Sequence, residues 1–375
     1  MQNKKTPLSN CIDFVESYKK DYTGEVAPYQ YRKSSKSFKI SKNRIFKIHK
    51  ESSKRNLGLV DGGSASIISG ADFNISFNRV AGVLFKKNKI TSLSHIPDLI
   101  EFFAATLITK TTDDKIAYAT RLFPREKKFE ALLPKEDIII PIDEVRDLMG
   151  FKFMPKVEIF GGVAMRFAEW AYSAKFIEKE LFSGDVFIRD GSLQTGYKEE
   201  ILLVRNLFKS ADQKEVYVTG LSKSCRLITS NGDCLVSLVD MVANKKFSDS
   251  NWYYHPIYQI TEADNLADVL FVKLHDQSAT PFRLDFYLEQ SKNLDIKERE
   301  IIISNLAANS NDLSFPGYPY GLIKVDQLSR VAKREIEPLR VQIISEFDSD
   351  IYKNYILPRI KSIDAHDLLN QIRKN

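Results

Sequence analysis

Two carboxylates stand where this chain could do chemistry. Asp61 lies in Gly58-Leu59-Val60-Asp61-Gly62-Gly63-Ser64 and Asp190 in Val186-Phe187-Ile188-Arg189-Asp190-Gly191-Ser192-Leu193. Each ends an apolar run and is followed by glycine. An apolar run with an abrupt polar stop reads as a buried strand, which puts the carboxylate at a rigid strand tip. Two such tips on one sheet can meet and hold a hard divalent cation, which prefers oxygen ligands. Asp-Gly is also a hairpin-turn signal, because both central residues of such a turn take positive φ. That competing reading suits the first string better than the second, since Tyr197 to Phe208 has a helical pattern and no second strand follows Asp190 directly.

Composition sets the bounds. The 375 residues suffice for one large domain with insertions or for two domains. The hydrophobic fraction of 43% is that of a soluble globular chain, and no apolar run approaches a membrane span. Met1-Gln2-Asn3-Lys4-Lys5 lacks the apolar core of a secretory signal. Cys11, Cys225 and Cys234 are widely spaced with no CxxC, so no zinc or disulfide framework is visible and a cytoplasmic location is expected. His49, His95, His255, His275 and His366 show no metal spacing, and no Walker-type loop marks the chain as an ATPase.

The net charge of +6 is concentrated near the start. Arg32, Lys33, Lys36, Lys39, Lys42, Arg44, Lys47, Lys50, Lys54 and Arg55 are opposed only by Glu51, with Tyr29, Tyr31, Phe38 and Phe46 interleaved. Basic residues among aromatics suit a phosphate backbone with exposed bases. The alternative is a solvated arm.

The elements that must position these groups follow from periodicity. Residues 8–20 read as a helix with Ile12, Phe14, Val15 and Tyr18 on one stripe. Residues 57–61 read as a strand, and Phe73 to Phe77 and Val80 to Phe85 as two more separated by Asn78-Arg79. Ile96 to Ile108 has helical character, Asp137 to Ile142 is a short strand, and a helix starts at Asp143. Val163 to Leu181 repeats at helical spacing, and Glu215 to Leu221 is a strand leading into Ser222-Lys223. Three strand-like runs between 252 and 290 either form a small barrel or extend the sheet. Phe315 to Gly321 is a rigid loop opening a helix over 322–333, and the tail from Glu335 is helical in two pieces broken around Pro358. The expected plan is an N-terminal helix and basic arm (1–56), a core (57–334) with insertions at about 90–155 and 230–312, and a helical tail (335–375).

The order is a strand ending in Asp61, two antiparallel strands, a helix carrying Glu169, a strand ending in Asp190, a helix, a strand, and a late helix carrying Asp326. This resembles the ribonuclease H-like fold: an α/β mixed sheet flanked by helices, here with insertions that include a small β-rich subdomain. More specifically the chain resembles the NurA nucleases. Their Asp-Gly-Ser/Gly is matched by Asp61 to Ser64, and their helix with Arg and Glu by Arg166 and Glu169. Their Asp-Gly-Ser-Leu is matched by Asp190 to Leu193, and their Ser-Lys by Ser222-Lys223. Their Gly-Tyr-Pro loop before a helical metal ligand is matched by Gly317 to Leu322 and then Asp326. Gly321 stands where the family often has a second proline, and Asp326 where it often has histidine.

The resemblance implies a DNA nuclease acting on single strands and duplex ends, with two ions, Mn²⁺ or Mg²⁺, held by Asp61, Glu169, Asp190 and Asp326. Glu178 and Glu180, on the same helix, remain rivals of Glu169. Lys223 would neutralise the scissile phosphate, and Tyr318 and Tyr320 are candidates to stack on a base at the strand's end. DNA contacts are further expected from Arg32, Lys33, Lys36, Lys39, Lys42 and Arg44. A HerA-type hexameric ATPase as partner and a homodimer with a central channel are implied, with no membrane association. The apolar positions of the tail, among them Leu339, Ile343, Ile344, Phe347, Tyr352, Ile356, Ile360 and Leu368, either cover the chain's own sheet or dock a partner. Two other functions stay open: a structure-specific endonuclease of the same fold, and a DNA-binding adaptor whose carboxylates hold no metal.

Overall fold

The computed structural model describes residues 6–17, 26–29, 35–49, 55–149, 155–261 and 265–360. Its strands are β1 (Ser35–Ser37), β2 (Ile45–Lys47), β3 (Leu57–Ser69), β4 (Phe73–Lys86), β5 (Lys89–Thr91), β6 (Leu99–Lys110), β7 (Ile116–Pro124), β8 (Ile138–Pro141), β9 (Val186–Asp190), β10 (Tyr217–Ser222), β11 (Trp252–Ile260), β12 (Ala267–Lys273) and β13 (Phe282–Tyr287). Its helices include α1 (Pro7–Ser17), α2 (Ile142–Met149), α3 (Ile159–Glu180), α4 (Ile201–Lys214), α5 (Leu235–Asn244), α6 (Leu288–Asn293), α7 (Ile296–Ala308), α8 (Tyr320–Ser329) and α9 (Lys333–Glu346).

The 13 strands of the described residues join one sheet, whose path runs β1-β11-β12-β13-β10-β9-β3-β4-β6-β7-β8. Its centre, β10-β9-β3-β4-β6, has β9 parallel to both β3 and β10, and β4 antiparallel to its neighbours β3 and β6. Numbered by order in the chain, those five strands run 5-4-1-2-3 with the second reversed, which is ribonuclease H-like topology. Of the two readings of the runs between 252 and 290, the structure takes the second: as β11, β12 and β13 they extend this sheet.

Alternation along the strands decides which way the aspartates point. Leu57 and Leu59 of β3, with Val186 and Ile188 of β9, lie in the core formed with Ile302 and Ile303 of α7 and Leu322 and Val325 of α8. Val60 and Phe187 lie on the opposite face, against Ala164, Ala168 and Tyr172 of α3 and Val204 and Leu207 of α4. The carboxylates of Asp61 and Asp190, two positions beyond Leu59 and Ile188, therefore fall on the α8 face. The register Leu59↔Ile188 and Val60↔Arg189 makes Asp61 and Asp190 the next neighbours along the two strands. α3 is apolar nearly all round because sheet and α4 cover it on two sides, burying Phe160, Phe167, Trp170 and Phe176.

Several sequence expectations change. Asp61 is neither a turn nor a strand tip, for β3 continues through Gly62 and Gly63 to Ser69. Asn78 and Arg79 do not separate two strands but lie inside β4. Ile96 to Ile108 is largely strand β6, whose Ile100, Phe102, Ala104 and Thr106 are all buried between β4 and β7. The first break in the tail falls at Phe347, before Pro358. The tail packs on its own sheet: Ile343, Ile344, Tyr352, Ile356 and Ile360 meet Ile68 and Phe73 at the outer end of the β3–β4 hairpin. Arg79 ties it down with ion pairs of 2.7 Å to Glu335 and 2.8 Å to Glu101. Leu368 lies outside the described residues. On the apolar stripe of α1, Ile12 is 49% and Val15 65% exposed, and Tyr18 lies outside the described residues.

One glycine sets the approach of α8. A Cβ on Gly63 would stand 2.1 Å from the carbonyl oxygen of Ser329, the last residue of α8. Gly63→Ala is expected to lower unfolding free energy by about 1–3 kcal/mol, read as a lower urea midpoint, because a backbone atom cannot swing aside. An unchanged midpoint would mean that the helix end slides freely on β3.

Candidate metal centre

Asp61, Asp190 and Asp326 each present a carboxylate oxygen within 4.8 Å of the others. β3, β9 and α8 supply one each. The Gly62 N–H donates to Asp61 Oδ1 at 2.8 Å. The Tyr318 hydroxyl donates to Asp190 Oδ1 at 2.8 Å. Lys223, just beyond β10, bridges two of the acids, with Nζ 2.8 Å from Asp190 Oδ2 and 3.0 Å from Asp326 Oδ1. Arg330 closes the outer side of Asp326.

The electrostatics match this crowding. Burial, then the negative charges of Asp190 and Glu169, push the Asp61 carboxyl up to about 8, despite the pull of Lys223 and the Gly62 N–H. Burial also acts to raise Asp326, but Lys223 and Arg330 outweigh it and hold that carboxyl below its ordinary value. At Lys223 burial favours the neutral amine, and Asp190 and Asp326 reverse this, so its pKa is raised. The donor set is thus all oxygen, clustered, and short of positive charge at Asp61. That is the character of a site for a hard divalent cation.

Glu169 does not join the three. It is 2% exposed on the α3 face of the sheet, where Arg189 takes both its oxygens: Nε lies 2.8 Å from Oε1, and Nη2 donates to Oε2 at 3.0 Å. The Arg189 guanidinium stacks 4.1 Å from the Trp170 ring centre, and its Nη1 donates to the Ser192 carbonyl at 2.7 Å. Alternation is the reason: Arg189 points away from the α8 face because Asp190 points toward it. The rivals are engaged elsewhere. Glu178 is half-buried and paired with Lys175 and Lys179, while Glu180 accepts the backbone N–H groups of Ser94, His95 and Ile96. From the α3 face the Glu169 charge still acts on Asp61, helping to raise its carboxyl.

The stacking role expected of Tyr318 does not survive its position. It is 0% exposed, its ring packs among Phe282 and Phe315, and it serves to hold Asp190. Tyr320 is half-buried, edge-on to Phe85 with Lys324 over its ring. Of the basic arm, Lys36 lies in β1 and Lys42 and Arg44 in a 3-10 turn before β2, all at the outer edge of the sheet beside β11. Lys36 and Arg44 sit over the Phe38 ring at 5.0 and 5.1 Å. Lys39 lies between, its carbonyl accepting from Arg44. Arg32 and Lys33 lie outside the described residues.

Residue typing missed Arg189 and the Arg166–Glu200 pair, whose Nε–Oε1 distance is 2.8 Å. Arg166 also donates to the Gln194 carbonyl, so two arginines, Arg166 of α3 and Arg189 of β9, grip the loop after Asp190. A signal existed: an arginine inside an apolar strand needs a buried partner. Tyr318→Phe keeps the packing and removes one donor from Asp190. A loss of about 1–3 kcal/mol in unfolding free energy is expected, measured by chemical denaturation, and no loss would mean Lys223 alone suffices.

Topology and site together define a ribonuclease H-like α/β protein with a three-aspartate cluster at the centre of its sheet. Among solved structures the chain is similar to the NurA nuclease from Sulfolobus solfataricus, at 13% identity and TM-score 0.49, over 84% of this chain and 89% of that one. It is similar also to the catalytic domain of human Endonuclease V, at 11% identity and TM-score 0.33, over 80% and 92%. A third likeness is to A. aeolicus Argonaute, at 11% identity and TM-score 0.30, over 75% of this chain and 29% of that one. No protein-family model and no curated protein matches. Among the described residues no helix is long and apolar enough to cross a membrane.

Proposed function

We propose that this chain is a metal-dependent nuclease that hydrolyses phosphodiester bonds in DNA, at single strands and duplex ends. The observation that carries the reading is the convergence of Asp61, Asp190 and Asp326 within 4.8 Å, with Lys223 spanning two of them. Asp61, Asp190 and Asp326 would hold the ions, Mn²⁺ or Mg²⁺, and Glu169 would act from behind through Arg189. Bound divalent ions supply charge neutralisation at the phosphate and an activated water.

The chain's own groups do the rest. Lys223 is 41% exposed along its side chain and offers an ammonium at the mouth of the cluster, placed to pair with a phosphate oxygen. The Tyr318 hydroxyl and the loop grip by Arg189 and Arg166 hold Asp190 in one orientation, so little ordering is left for the reaction step.

End-labelled single-stranded DNA and closed circular DNA, each with Mn²⁺ and with EDTA, test the reading. Cleavage of the ends alone supports it. Cleavage of circles favours the structure-specific endonuclease, and binding without cleavage favours the adaptor. The wider reading takes a HerA-type hexameric ATPase as partner, a homodimer as the working form and DNA end processing or defence as the setting, in the cytoplasm. Its support is the ordered motif set from Asp61 to Asp326, and co-purification with such an ATPase tests it.

The basic edge has its own expected result. Replacing Lys36, Lys39, Lys42 and Arg44 with Glu should weaken DNA binding and flatten its salt dependence. On duplex DNA the log–log slope should fall by about 0.9 for each phosphate no longer neutralised. An unchanged slope would remove the edge from the DNA path.

A further inference from the structure

The carboxylate cluster has a neighbour on the other side of the Asp190 loop. A cavity of about 290 Å³ opens between Gln194, four positions past Asp190, and Ser224 to Leu227, which follow Lys223 directly. Its floor is Tyr258 and Arg283, 4% and 8% exposed. Three residues of extended chain span at most about 11 Å, so Arg226 lies within one or two nucleotides of Lys223.

The lining has a particular chemistry. Leu227, Tyr258 and Ile260 offer apolar surface, while the Gln194 amide and the Arg283 guanidinium are planar hydrogen-bonding groups. Arg283 is held rigid by Asp285, with Nε 2.7 Å from Oδ1 and Nη2 donating to Oδ2 at 2.9 Å. Asp285 Oδ2 also accepts the Leu193 N–H at 3.2 Å, so the cavity floor is coupled to the loop that carries Asp190. Arg226 is exposed at the rim and pairs with none of the described acids. An apolar-faced plane with polar edges and an attached anion is the complement of this lining, and that describes a nucleotide.

We infer that this cavity is a nucleotide subsite: it takes the unstacked base of a nucleotide flanking the scissile bond, with Arg226 on that nucleotide's phosphate. The inference rests on the nuclease reading and adds to it a reason for preferring single strands, since a paired and stacked base cannot enter. A base fixed there would hold the next phosphate against Lys223 and Asp190, so its contribution appears in substrate binding and cleavage position.

The test uses the full chain and a single-stranded oligothymidylate carrying one abasic nucleotide, walked through successive positions. Binding is read in EDTA and cleavage in Mn²⁺. One fixed position relative to the cut should weaken wild-type binding about tenfold, the scale of one base-stacking interaction. Ser224→Trp, which fills the cavity from its exposed rim, and Arg226→Ala should each raise KM about tenfold with kcat within twofold. In Ser224→Trp the abasic position should have no further effect. A flat abasic scan, or an unchanged KM in both variants while the wild type cleaves, overturns the subsite and leaves the nuclease reading standing. A position-dependent scan in EDTA from a chain that never cleaves supports the subsite and overturns the nuclease reading alone. No binding at all overturns both.

Discussion

Asp61→Asn is expected to abolish cleavage, by roughly three orders of magnitude or more, equivalent to about 4 kcal/mol of barrier, while making the metal-free protein more stable. The two outcomes share one cause. Asp61 sits within reach of two other carboxylates, and its acid is pushed up to about 8 by burial first and by Asp190 and Glu169 next. A carboxyl raised in the folded state costs stability wherever the unfolded chain would ionise and the folded one resists. That cost is absent below the unfolded value of 3.8 and grows as pH rises toward about 8. Asparagine keeps the shape and loses the charge. Urea denaturation in EDTA at pH 5 and pH 8 should show the variant pulling ahead of the wild type as pH rises, by at most a few kcal/mol. Added Mn²⁺ should raise the melting temperature of the wild type only, because a ligand that binds the folded state alone stabilises it. A variant that cleaves normally in Mn²⁺ would take Asp61 out of the site.

Arg189→Met is expected to be the most destabilising single change near the site, at about 3–5 kcal/mol. It leaves Glu169 buried at 2% exposure with its two-point partner removed. Adding Glu169→Gln should recover much of the loss, because the uncompensated charge and not the missing bond carries most of the cost. Arg189→Lys should not restore function. One ammonium cannot hold both Glu169 oxygens and the Ser192 carbonyl, and it lacks the flat face that stacks on Trp170. Cleavage measured well below each variant's melting temperature separates the effect on the Asp190 loop from the effect on stability. If Arg189→Met melts like the wild type, Glu169 has another counter-charge.

Glu169 shows where sequence reading stops. Its place on the helix before Asp190 was legible from the order of elements, and its burial could be expected from Phe167 and Trp170 beside it. That it faces Arg189, and not the aspartates, depends on how far α3 lies behind the sheet, which no local period reports. Ile96 to Ile108 failed for a different reason. A short apolar segment carries both helical and alternating spacings, and only the hydrogen-bonding partners on either side choose between them. β4 and β7 supply those partners, so the segment is strand.

By itself the sequence determined the apolar strand runs that lead into Asp61 and Asp190 and the long buried helix between them. These follow from the spacing of apolar side chains, a property of the chain one residue at a time. It also ordered Lys223 and Asp326 after them. Only the tertiary structure decided that three aspartates and Lys223 meet while Glu169 is drawn aside, that Tyr318 serves Asp190 from the core, and that the tail closes over the β3–β4 hairpin. Those meetings join residues far apart in the chain across both faces of one sheet. Their distances are set by how helices pack on it, and packing is a property of the assembled fold.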